Sequence, residues 1–214
     1  MKKLSFLIAL AIIISVGGVY ASWNYAELTM TAHNHTVNSL ATFDLNTNIE
    51  AGTVSFADSL VLKVDDVTGN HNPGWTAGID DADKGRIVMT FTPNSGASDT
   101  YLKYTITMTN NTFDIDGGGA EPEVPIFTTT ANVATGTEEI TAAHAGAKTI
   151  LVGYITHTAG SSTTSHAILA SEIEDILTVN QTITLPTLTD FNNYSTALNN
   201  VKLTLTVEEV ASIP

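Results

Sequence analysis

The sequence predicts an all-β fold, an antiparallel β-sandwich of the jelly-roll type with two short helices in its connections. Three features lead there. Apolar and polar residues alternate with a period of two through many short runs, as half-buried strands require. Only two segments carry helical spacing, and many short strands separated by loops rich in Gly, Asn, Ser, Asp or Pro favour an antiparallel sandwich over a βαβ fold.

Taken in chain order, residues 23–32 are a weak strand candidate, followed by a strand through Val54 and Phe56 and another marked by Leu60, Leu62 and Val64. Residues 85–92 place Ile87, Met89 and Phe91 on one face. Residues 101–109 place Leu102, Tyr104, Ile106 and Met108 inward, with Lys103, Thr105 and Thr107 outward. The run 149–155 is apolar on both faces and predicts a central strand. Leu169, Ile173 and Ile176 recur at i, i+4 and i+7, so residues 166–177 predict a short amphipathic helix. Residues 181–185 are a further weak strand. Thr187 to Asp190 resembles a capping box, with Asp where Glu or Gln is usual, and opens a second helix carrying Phe191, Tyr194 and Leu198 on one face. Residues 201–207 close the pattern, with Val201, Leu203, Leu205 and Val207 inward against Lys202, Thr204 and Thr206. The polar, Asn/Thr-rich segment 33–50 is expected to be mobile. Loops are expected at 68–84, 93–98, 110–124 and 158–165.

The chain has 214 residues, 43% of them hydrophobic and only 14% charged, which suits one domain whose solvent faces are hydroxyl-rich. It contains no cysteine, which excludes disulfides, a thiolate nucleophile and Cys-ligated zinc. Packing alone must hold it, and a chain near 200 residues buries enough surface for that.

Met1-Lys2-Lys3, the apolar stretch Leu4 to Val19 and the small-residue site Val19-Tyr20-Ala21 are the parts of a secretory signal peptide. Cleavage after Ala21 is expected, leaving a single domain over residues 22–214 outside the cytoplasm, with membrane contact only as a transient precursor. The formal net charge of −14 becomes −16 once the two lysines of the leader are removed. A field of that sign repels phosphate backbones and anionic lipid, which excludes nucleic acid as a partner.

The stretch Gly17-Gly18-Val19-Tyr20-Ala21-Ser22-Trp23 resembles the signal-peptide ending of substrates of the SipW-type signal peptidase, the TasA and camelysin group of Gram-positive surface proteins. Ile49-Glu50-Ala51-Gly52-Thr53-Val54 is similar to the Gly-Thr-aliphatic element that begins an early strand in that group, though further from the cleavage site than the group's spacing. The resemblance implies a jelly roll with helices in its connections and a secreted structural role in a biofilm matrix or surface fibre. Self-association or other matrix proteins would then be the partners. A mechanism is available, since an N-terminal strand can add to the open sheet edge of a neighbouring subunit, with Trp23, Tyr25, Leu28 and Met30 as anchors. The same strand can equally pair within its own sheet.

The alternative is a carbohydrate- or surface-binding sandwich, possible with calcium. Trp75 in His71-Asn72-Pro73-Gly74-Trp75 offers an aromatic platform for a sugar ring, or a ring that seals the sandwich end. Asp114, Asp116, Glu121 and Glu123 put four carboxylates in one Gly-rich loop, oxygen ligands of the kind Ca²⁺ takes, although Asp and Gly are also what turns require. Asp80, Asp81 and Asp83 form a second such cluster. His33 and His35 could share a strand face, but no third ligand is identifiable. Ser161, Ser162, Ser165 and His166 lack a Gly-x-Ser-x-Gly elbow, and Glu172, Glu174 and Asp175 belong to the expected wet face of a helix. No catalytic constellation emerges, so a non-enzyme without an obligate cofactor is expected.

Overall fold

A computed structural model describes residues 26–30, 41–44, 49–57, 60–66, 71–75, 86–93, 99–115, 122–129, 136–161 and 163–214. The leader, Trp23 and Tyr25, the histidines 33 and 35, the acidic cluster 80–83, Asp116, Glu121 and Ser162 lie outside them.

The chain is mostly β. Its strands are β1 (Ala26–Met30), β2 (Ala41–Asp44), β3 (Ile49–Ala57), β4 (Leu60–Asp66), β5 (Pro73–Trp75), β6 (Arg86–Pro93), β7 (Thr100–Thr109), β8 (Phe127–Thr129), β9 (Lys148–His157), β10 (Thr164–Leu169), β11 (Leu177–Val179) and β12 (Lys202–Val210). Two helices are described, α1 (Ala170–Glu174) and α2 (Leu188–Asn200). The sheets run β2-β12-β7-β9, β10-β6-β3, β1-β4-β5 and β11-β8. Every pairing is antiparallel except β2 with β12, a parallel edge inside the expected antiparallel architecture.

Alternation builds the two larger sheets. Along β7, Leu102, Ile106 and Met108 are fully buried, and β12 sends Leu203, Leu205 and Val207 to the same side. From the sheet β10-β6-β3 come Ile87, Met89 and Phe91 of β6 and Ile168 of β10, in one continuous core. At about 25 cal/mol per Å² of apolar surface, each of these side chains contributes roughly 1.5–3 kcal/mol. Tyr104 of β7 reaches across to β10, its hydroxyl 3.2 Å from His166 Nε2.

Helix α2 forms where its capping box predicts. Thr187 Oγ1 accepts from the Asp190 amide at 3.2 Å, and Asp190 Oδ2 accepts from the Thr187 amide at 3.0 Å. Phe191, Tyr194 and Leu198 are buried on one face, and Tyr194 meets Phe113 edge-on with ring centroids 5.3 Å apart. Burial raises the Tyr194 phenol far above its ordinary range.

Several sequence expectations are corrected. Residues 166–177 are not one helix, because residues 164–169 pair with β6 as β10, only 170–174 coil as α1, and 177–179 extend as β11. The i, i+4, i+7 spacing joined residues of different elements: Leu169 ends β10, Ile173 is buried in α1, and Ile176, in the turn before β11, packs against the core. Among the described strands, β9 ends its sheet rather than lying at its centre. Its outer edge is met by the segment beside it, where the Glu138 amide donates to Thr149 O at 2.8 Å and Gly136 lies beside the Val152 side chain. Residues 181–185 form no strand, since Ile183 turns back to Asn180 O and Leu185 donates to His71 O. Within the polar segment 33–50, residues 41–44 do form a strand, because the parallel ladder with β12 satisfies their backbone.

Candidate assembly surface

Among the described residues, strand β1 ends the sheet β1-β4-β5 and pairs with β4 alone. Its register on β4 is Ala26↔Val64, Glu27↔Lys63, Leu28↔Leu62, Thr29↔Val61 and Met30↔Leu60. Helix α2 lies against it. Of the four donor-strand candidates, Leu28 and Met30 therefore belong to this ladder, while Trp23 and Tyr25 fall outside the described residues. An edge strand leaves its outward N–H and C=O groups without a ladder partner, which makes such an edge competent for pairing with another chain.

Strand β5 carries Trp75 on the other side of β4. The indole stacks on Phe127 with centroids 5.3 Å apart and planes at 19°, and its Nε1–H donates to Leu177 O at 2.7 Å. One ring face and the polar edge of Trp75 are thus used inside the fold, tying β5 to β8 and β11. Asn72 holds the same corner, its Nδ2 donating to Ile183 O at 2.9 Å.

The acidic loop is pinched at its base by reciprocal backbone bonds between Phe113 and Val124, 2.8 and 2.9 Å long. Glu123 Oε2 accepts from Thr112 Oγ1 at 2.7 Å, so this carboxylate is bonded across the base of the loop. Asp114 follows Phe113 at the start of the loop, and Asp116 and Glu121 are beyond the described residues. Among the described residues, no group of three or more His, Asp or Glu side chains could hold a metal ion.

Other candidates are placed singly. Ser165 Oγ lies 3.2 Å from Thr90 Oγ1, and His166 faces Tyr104 rather than a serine. Glu172 Oε2 accepts from the Leu169 amide at 2.7 Å and so caps α1. His157 is fully buried with Nδ1 against Thr164 Oγ1, so two histidines join β10 to the sheet β2-β12-β7-β9. Nothing in their spacing signals this, since both contacts arise where the chain crosses from one sheet to the other. Asn111, also fully buried, donates from Nδ2 to Phe127 O and accepts from the Phe127 amide at Oδ1, both at 2.8 Å. Its side chain stands in for a strand neighbour of β8, a role that a lone Asn in a polar loop does not announce.

No protein-family model, no curated protein and no solved structure matches this chain.

Proposed function

We propose that this protein is a secreted structural component of an extracellular matrix or cell surface, a jelly roll that assembles into fibres by donor-strand exchange. After cleavage at Ala21, residues 22–32 leave the β4 edge of their own chain and pair with β4 of the next copy. The one-sided ladder of β1 carries this reading. Exchange replaces each β1–β4 hydrogen bond by an identical one between copies, so the balance is set by hinge strain and concentration rather than by new contacts. A head-to-tail exchange whose rotation does not close on itself propagates as a filament.

The test uses the chain from residue 22 and a second beginning at residue 33, compared by negative-stain microscopy and light scattering. Filaments from the longer chain alone support the reading. Monodisperse monomers from both, across salt and pH, overturn it. Because the chain has no cysteine, the double substitution L28C/L62C reports the pairing directly. A fibre oxidised after assembly should run as a disulfide-linked ladder on a non-reducing gel, and a cross-linked monomer there counts against exchange.

A further inference from the structure

We infer that the outer face of the sheet β2-β12-β7-β9 binds an uncharged polysaccharide, with Tyr101 and Tyr154 as its stacking rings. This surface is separate from the β1 edge and does not depend on fibre assembly.

The alternation that buries one side of β7 sends Tyr101, Lys103, Thr105 and Thr107 to the other, where all are half-buried. Register then sets their neighbours. Thr107 lies between Thr204 and Thr149, while Lys103 lies between Glu208 and Tyr154. Tyr101 pairs with Thr156, which makes Tyr101 and Tyr154 diagonal neighbours on one face, about 7 Å apart. Rows across the strands repeat at about 4.8 Å and positions along them at about 6.6 Å, so hydroxyls and rings form a regular array.

Two properties select the partner. The hydroxyls of Tyr101, Tyr154, Thr105, Thr107 and Thr204 make no side-chain hydrogen bond among the described residues, and each is able both to donate and to accept. A polymer whose own surface is hydroxyl groups matches that chemistry, and its apolar ring faces match the flat amphipathic faces of tyrosine. Charge points the same way. Lys103 Nζ and Glu208 Oε1 neutralise each other at 2.8 Å in the middle of the face, within a chain whose formal net charge is −14. An anionic polymer would meet the field of the whole molecule, whereas a neutral one approaches without that cost.

The experiment is co-sedimentation of the chain from residue 22 with microcrystalline cellulose and with chitin, using alginate beads as the anionic comparison. Depletion by a neutral particle is expected, weakened at least tenfold in Y101A/Y154A with an unchanged far-UV spectrum. Y101F/Y154F keeps the rings and should retain most of the binding, a result that loss of folding could not produce. Absence of depletion by both neutral particles, equal depletion by Y101A/Y154A, or preference for alginate would each overturn the inference. So would concentration-dependent dimerisation abolished by Y101A/Y154A without glycan binding, which would make a second copy the occupant.

Discussion

The phenol ring of Tyr104 lies over Gly153, its direct cross-strand partner, and fills the space where any larger residue would place its Cβ. A Cβ there would fall on Tyr104 Cζ, a ring held by packing from one side and by the His166 contact at its hydroxyl. Gly153→Ala must therefore displace the ring. Overpacking of this kind costs about 1–3 kcal/mol, and in a chain of this size that lowers the melting temperature by roughly 3–10 °C. Tyr104→Ala in the same chain should remove most of the added cost of the alanine, which a double-mutant cycle in urea would measure.

Asn111 binds both backbone groups of Phe127 through one side chain. Asn111→Asp keeps the shape but turns the donor facing Phe127 O into a second acceptor. A loss of about 2–4 kcal/mol is expected from a buried carbonyl left without its donor and facing a carboxylate. Chemical denaturation at neutral pH reads it, and a loss under about 0.5 kcal/mol would show that the bond is dispensable.

Trp75→Phe retains a ring able to stack on Phe127 but deletes the bond to Leu177 O. It should cost about 1–2 kcal/mol, whereas Trp75→Ala should cost about 3–5 kcal/mol. Equal losses for the two substitutions would mean that the hydrogen bond, not the stacked ring, fastens β5 to the core.

Thr187→Ala removes the acceptor of the Asp190 amide at the start of α2. The expected loss is about 1 kcal/mol. Thr187→Ser should recover most of it, because the hydroxyl is what caps the helix.

Glu138 holds its carboxyl below the usual range, first through the hydrogen bond from Lys148 and then through the Thr149 amide. A folded value below the unfolded one means that the stability this group contributes is present above the unfolded pKa and lost as pH falls through the lowered folded value. A carboxyl NMR titration should find Glu138 below the ordinary glutamate range, and Lys148→Met should move it upward. No movement would assign the shift to the Thr149 amide alone.

Much of the β architecture was legible because its signals are local. The alternation over 101–109 and 201–207 became β7 and β12 with the inward residues it specified, and the Thr187–Asp190 cap set the start of α2. Where one spacing served two structures, local reading failed. Leu169, Ile173 and Ile176 come from a strand, a helix and the turn after it, and their separation looks the same as that of one helical face. The candidate surfaces were only half legible. Leu28 and Met30 could be read as apolar positions of an early strand, but not that this strand ends a sheet beside β4.

The sequence by itself determined that the chain is mostly β, which residues of its main strands face inward and where its longer helix begins. Periodicity and capping act over a few neighbouring residues and need no knowledge of the rest of the chain. Tertiary structure alone decided that β9 ends its sheet among the described strands, that β2 runs parallel to β12, and that Tyr104 requires a glycine opposite it. It also decided that Tyr101 and Tyr154 share a face. These depend on pairing between segments far apart in the chain, where the burial of whole faces chooses the partner and the register, and no local pattern records that choice.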